Sequence, residues 1–570
     1  MKYFVSLSKI VLTVLLLSNS FVFSQTDEQR DLITSRYDFQ KLNQLERQFS
    51  SKVSQERQAA IQYAQQRGIQ TKITLDDGGL AELQRIEPDG SLIYYRTLNV
   101  SAARSTRVNH LNAGGSLGLN LMGQNMRAHV WDGGLARASH QEYDGAGGSN
   151  RFSVADGSSA LHYHAAHVAG TIMASGVVSN AKGMAPHSLV SGYDWNNDLS
   201  EATAAAGNGM LISNHSYGYR SDLVPHYYFG AYITNSRNWD ALHYNAPYYL
   251  MVVAAGNDGY TNYNGSPLSP SNPQYDKLTG HATSKNNLVV ASAQDANIDS
   301  NGNLISVSIS SFSSQGPTDD LRIKPDITGN GHGVYSTFEN SNSAYSSISG
   351  TSMASPNVTG SLLLLQEHVN NLSGNFMRSA TLKGLALHTA DDAGATGPDA
   401  IFGWGLLNTK RAAEAITLDG EESLISELTL MPGQSYTVQV NSDGINDLLA
   451  SISWTDPAGT STSSTNSTIA RLVNDLDIRV SQGGTTNLPW RLTAVNANGK
   501  GDNTKDPFER VDVANASGTY TITVSHKGSL SGGSQDYTLI VTGLSSSDTE
   551  APTAPTNLTA SDVTQTSVDL

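Results

Sequence analysis

Between about residues 104 and 416, short apolar runs of buried type alternate with helical patterns, and this alternation is what most restricts the fold. The runs lie at 128–131, 210–214, 249–255 and 288–291, with a helical stretch over 164–174 among them. Strands that are apolar on both faces and separated by helices belong to a parallel sheet with helices on both faces. An α/β domain over 105–418 is therefore expected. In such a sheet the carboxyl ends of the strands hold the reacting groups, because the loops there open outward.

The flanks read differently. Lys2 and Lys9 lead into an apolar run at 10–17, and Val22 and Ser24 offer a small-residue exit before Gln25. That is a secretory signal peptide over 1–24; the run is too short to span a bilayer. No other stretch approaches spanning length, so the mature chain is expected outside the cytoplasm, secreted or surface-attached, with no membrane span. Residues 25–104 form a small α+β unit. Leu42, Leu45, Phe49 and Val53 recur at near-helical spacing, and strand-like runs follow at 71–75, 83–86 and 92–95. Pro88-Asp89-Gly90 marks the turn between the last two.

Beyond 416, Ser, Thr, Asn and Gly surround short alternating strands at 436–440, 477–480, 520–524 and 537–541. This is the pattern of an all-β sandwich, expected over 419–546. Ala551-Pro552-Thr553-Ala554-Pro555 then opens a further strand-like run.

Composition removes several chemistries. The net charge of −16 argues against a nucleic-acid binder. With no cysteine there is no disulfide, thiol nucleophile or zinc–thiolate site.

Four segments carry polar groups at telling places. Ala128-His129-Val130-Trp131 runs into Asp132-Gly133-Gly134, which puts a carboxylate at a strand end; an Asp-Gly turn is the plainer reading. His164 opens a helix of small residues, Ala165, Ala166, Ala169 and Gly170. His162, His164 and His167 would be the nucleus of a metal site, but no His-Glu-x-x-His pattern accompanies them. Met251–Ala255 is a buried run ending in Gly256 and Asn257, whose amide can donate to an oxyanion. Gly350-Thr351-Ser352-Met353-Ala354-Ser355-Pro356 leads into an apolar helix, so Ser352 meets free N–H groups and a positive dipole end; a helix cap is the plainer reading. The order Asp, His, Asn, Ser contains the Asp…His…Ser order of subtilisin and excludes the α/β-hydrolase order.

Through the wording of His164–Thr171 and Gly350–Pro356, the chain resembles the subtilases, the subtilisin-like serine endopeptidases. Gly183-Met184-Ala185-Pro186 and Asn214-His215-Ser216-Tyr217-Gly218 add to the likeness. It departs at Ala165-Ala166, where Gly-Thr is usual, and at Gly133, where Thr is usual. The resemblance implies a catalytic triad of Asp132, His164 and Ser352 with Asn257 in the oxyanion hole. It implies a cleft lined by Ser216, Tyr217, Gly218, Ala254, Ala255 and Gly256, and protein or peptide substrates. Residues 25–104 would be a propeptide that inhibits its own enzyme.

Trp454-Thr455-Asp456-Pro457 and the segment 472–477 resemble the β-sandwich of a calcium-binding subtilase branch. Residues 551–570 resemble the start of a fibronectin type III module. No organic cofactor is implied. Calcium remains open as a structural ion with no ligands located; Asp456, Asp475 and Asp477 are candidates by resemblance. Asp295-Ala296-Asn297-Ile298-Asp299 alternates oxygen ligands, but Ser300 stands where an EF-hand needs Gly. The competing reading is an extracellular adhesion or binding protein with a decayed peptidase domain.

Overall fold

The computed structural model of the 570-residue chain describes residues 25–74, 80–87, 90–97, 104–144 and 150–546. The expected signal segment, the fibronectin-like start, and Pro88 and Asp89 of the expected turn lie outside the described residues.

The leader begins with α1 (Asp27–Thr34) and α2 (Phe39–Arg67). Thr26 and Gln29 cap α1 reciprocally, and Gly68, at φ 67°, ends α2 in the left-handed conformation glycine tolerates. Leu42, Leu45 and Phe49 are buried, as their spacing predicts. The strands β1 (Lys72–Thr74), β2 (Leu80–Ile86) and β3 (Leu92–Thr97) follow as an antiparallel set.

The alternating region forms a seven-stranded parallel sheet. Its strands are β4 (Arg127–Asp132), β5 (Phe152–Val154), β6 (Leu189–Asp194) and β7 (Ile212–His215). After the short β8 (Tyr217–Tyr219) come β9 (Leu250–Ala254) and β10 (Leu288–Ala293). A small hairpin, β11 (Asn297–Ile298) with β12 (Leu304–Ser306), precedes the last member, β13 (Ile327–Asn330). The order is β13-β10-β9-β7-β4-β6-β5, and every pairing is parallel.

Six helices serve this region: α3 (Tyr163–Met173), α4 (Asp198–Gly207), α5 (Thr234–Asn245), α6 (Thr351–Ser373), α7 (Ser379–His388) and α8 (Thr409–Thr417). Helix α3 packs on α6, while α4 and α5 carry the leader helix α2. Ile33, Leu42, Leu45, Phe49 and Ile93 of the leader share one apolar core with the sheet. Burial of that apolar surface, at roughly 25 cal/mol per Å², holds the leader on the domain.

After α8 the chain builds two four-stranded antiparallel sheets. One orders Ser423–Leu430, Gln535–Thr542, Leu448–Trp454 and Phe508–Val513; the other orders Tyr436–Asn441, Thr519–Lys527, Asp475–Gln482 and Thr485–Asn487. Alternate residues of both sheets, among them Leu448, Ile452, Ile478 and Val524, form one buried cluster. Asn286 and Asp456 exchange hydrogen bonds of 2.8 and 2.9 Å, and the Lys285 ammonium contacts the Asp456 carboxylate. Both charges are fully buried, so each needs the other.

Candidate active site

Three strand ends and two helix starts converge. β4 ends in Asp132, whose side chain is fully buried. Its oxygens lie 2.8 and 2.7 Å from Nδ1 of His164. A carboxylate only accepts, so Nδ1 carries the proton and Nε2 is the ring's basic nitrogen. His164 is held in the first turn of α3, where its N–H donates to Nδ1 of the capping His162 at 3.4 Å. Burial, then the neighbouring His164, pushes the His162 imidazole down to about 4, which keeps it neutral and able to accept. Gly170 lets the helix approach Thr337: a Cβ there would collide with the Thr337 and Ser336 hydroxyls.

Ser352 is the second residue of α6, so its N–H is one of the unbonded donors of a helix start. Its Oγ donates to the Ser216 carbonyl at 2.8 Å, and the Ser216 hydroxyl donates to the Ser352 carbonyl at 2.6 Å. Asn214 steadies this pair: its Nδ2 donates to Ser216 Oγ at 2.8 Å and its Oδ1 accepts from Ser355 at 2.8 Å.

Asn257 lies three residues beyond the end of β9. Its Oδ1 accepts from the Thr351 N–H at 2.9 Å and the Thr351 hydroxyl at 3.0 Å. With the oxygen so engaged, the amide orientation is fixed and Nδ2 points away from Thr351. Gly256 has φ 111°, a conformation that favours glycine, and a Cβ on it would lie 2.8 Å from Ser314 Oγ.

A small pocket beside this group is lined by Gly218, Ala254, Ala255 and Gly256, all named from the sequence. Tyr217 differs from the expectation. Its ring turns into the core, where its hydroxyl donates to Asp198 at 2.8 Å and pairs with His215 Nδ1 at 2.8 Å; only its backbone faces the cleft. In a strand adjacent residues point to opposite sides, and Tyr217 is on the inner one. The pocket also holds Asp258 and Lys277, which the sequence reading did not include. Ser221 donates to Asp258 at 2.7 Å, and the Lys277 ammonium donates to the carbonyls of Asp258 and Gly259 at 3.0 and 2.6 Å.

His167 does not join His162 and His164. Its Nε2 lies 3.2 Å from the carbonyls of Val334 and Ser346, and burial pushes its imidazole down to about 3. Among the described residues no three His, Asp or Glu side chains are grouped to hold a metal ion.

The aspartates named for calcium do not fit that ion. Asp456 is taken by Lys285 and by the N–H groups of Val473 and Asn474. Asp477 is taken by Lys527 and Arg479, and Lys527 also lies 3.6 Å from Asp475. Asp299 accepts from the Asn301 and Asn303 N–H groups, both at 2.8 Å, as a turn aspartate does.

Residues 137–405 match the family described as "Subtilase family". That segment is subtilase-like. It contains His164, Asn257 and Ser352, and Asp132 stands five residues before it. A PII-type proteinase of Lacticaseibacillus paracasei is 45% identical over 80 residues, 14% of this chain and 4% of that protein. The chain thus spans a small part of that relative's length. Subtilisin DY of Bacillus licheniformis is 26% identical over 312 residues, 51% of this chain and 92% of that protein. The solved structure of the self-cleaved protease domain of PatA is 21% identical with a TM-score of 0.38, covering 51% of this chain and 97% of that one.

Proposed function

We propose that the chain is a secreted serine endopeptidase that hydrolyses peptide bonds of protein or peptide substrates. The observation that carries this reading is the bidentate approach of His164 Nδ1 to Asp132, with Ser352 at the start of α6 and Asn257 beside it.

In this mechanism the Ser352 hydroxyl turns from the Ser216 carbonyl to His164 Nε2. The imidazole removes its proton as Oγ attacks the scissile carbonyl, and Asp132 stabilises the imidazolium. Asn257 Nδ2 and the Ser352 N–H donate to the oxyanion. The imidazolium then protonates the leaving amine. Water, deprotonated by the same ring, releases the acid and restores Ser352. The chain's own side chains supply every step. Among the described residues no helix is long and apolar enough to cross a membrane.

The leader 25–104 is proposed to inhibit this site, because β3 pairs antiparallel with β8 and so lies along the cleft. The signal-like segment at residues 1–24 supports an extracellular location. The test is casein hydrolysis by wild type against Ser352→Ala. The reading expects activity only in the wild type. No activity in either protein once the leader is removed would favour the decayed binding protein, and equal activity in both would remove Ser352 as the nucleophile.

A further inference from the structure

The small pocket beside Asn257 holds two opposite charges. Ala254, Ala255 and Gly256 give it an apolar wall, and Asn257 is part of the same lining. With Asn257 as the proposed oxyanion donor, the side chain that enters this pocket belongs to the residue whose carbonyl Ser352 attacks. Another wall is Gly218, next to Tyr217, whose carbonyl accepts from His281 Nε2 at 2.9 Å. Burial pushes the His281 imidazole down to about 4, so it adds no charge to the pocket.

The charges come from Asp258 and Lys277. Asp258 accepts from the Ser221 hydroxyl at 2.7 Å, and its N–H donates to Ser314 Oγ at 3.0 Å, which fixes its backbone. Lys277 is 4% exposed and donates to the carbonyls of Asp258 and Gly259 at 3.0 and 2.6 Å. A lysine ammonium has one more N–H than those two carbonyls use. Burial at Lys277 favours the neutral amine, and the Asp258 carboxylate opposes it by favouring the ammonium.

Each class of entering side chain meets this pair differently. An apolar tip displaces water and leaves the remaining ammonium N–H without an acceptor. A carboxylate suits Lys277 and is repelled by Asp258. An ammonium suits Asp258 and is repelled by Lys277. A carboxamide suits both, its oxygen accepting from Lys277 and its NH2 donating to Asp258. Glutamine carries that amide on a short methylene stem that the alanine wall can cover. From this pairing we infer that the enzyme cuts preferentially after glutamine, with Lys277 and Asp258 as its specificity-determining residues. The inference rests on the serine endopeptidase reading.

The test measures kcat/KM of the casein-hydrolysing protein on chromogenic peptides that differ only in the residue before the cut, which is Gln, Glu, Lys or Leu. Gln is expected to exceed each of the others by about tenfold or more, because a site built to hydrogen-bond a side chain rejects analogues that lack the matching groups. Glu, Lys or Leu cleaved as fast as Gln overturns the inference while leaving the endopeptidase reading intact. No hydrolysis of any peptide or of casein, with no fluorophosphonate adduct, overturns both. Asp258→Asn keeps an oxygen for the Ser221 hydroxyl and removes the negative charge, so the ratio of kcat/KM for Glu over Gln should rise by about tenfold. Lys277→Met should raise the ratio for Lys over Gln in the same way. A merely structural role would lower all the peptides alike. An unchanged ratio in folded Asp258→Asn therefore overturns the assignment, even where Lys277→Met fails to fold.

Discussion

Replacing Asn257 tests the chemistry and the scaffold separately. Its oxygen accepts two hydrogen bonds from Thr351, at 2.9 and 3.0 Å, while its Nδ2 is assigned to the oxyanion. Asn257→Ala removes both functions. Losing one oxyanion donor costs ~10²–10³ in turnover, or about 2.7–4 kcal/mol. Losing two hydrogen bonds at about 0.5–1.5 kcal/mol each costs roughly 1–3 kcal/mol of stability. Asn257→Asp keeps an oxygen for Thr351 and removes only the donor. It should match the alanine variant in lost kcat while remaining closer to wild type in urea denaturation. The assay is kcat and KM on a chromogenic peptide after leader removal, alongside the urea midpoint in a Ser352→Ala background. KM should move little, since the interaction forms in the transition state. Wild-type kcat in folded Asn257→Asp would refute the assignment.

Other outcomes follow from the same contacts. Asp132→Asn should leave the fold intact and lower kcat by about 10³–10⁴, because Nδ1 would no longer be held as the donor; a loss under tenfold by the same peptide assay would contradict it. Lys285→Met strands a fully buried Asp456 carboxylate and should cost about 3–5 kcal/mol in urea denaturation, whereas Lys285→Met with Asp456→Leu should recover much of it. Asp276 and Asp319 are pushed up to about 7 and about 8 by burial, with Asp276 adding to the rise at Asp319. A carboxyl raised above its unfolded value near 3.9 contributes stability below that pH and loses it as pH rises through the folded value. Asp319→Asn cannot ionise, so its urea midpoint should gain on the wild-type residue between pH 5 and pH 9, and a constant difference would contradict this. With Asp456, Asp475 and Asp477 already paired with lysines, EDTA should leave Tm unchanged; a lowered Tm would return calcium to the account.

The proposed site was legible because each of its residues sits where local sequence marks it. Asp132 follows an apolar run, His164 and Ser352 open helices of small residues, and Asn257 follows Gly256 at a strand end. The parallel sheet was legible for the same reason, since its strands lack polar alternation. What stayed hidden depends on distant partners. The Tyr217 ring is turned inward by Asp198, and nothing near Tyr217 in the chain announces that bond. The pairing of Thr97 with Tyr217 joins two short strands well over a hundred residues apart. Asp456 was a calcium candidate by resemblance, and its partner Lys285 is equally remote in sequence. Asp258 and Lys277 stand 19 residues apart and share a pocket only once the chain is folded.

The central claim is that Ser352 is a nucleophile activated by His164. Labelling the leader-free protein with a fluorophosphonate and mapping the adduct by peptide mass spectrometry tests it most directly. The account predicts a single stoichiometric adduct on Ser352, lost in His164→Ala. No adduct, or one on a different serine, would contradict it.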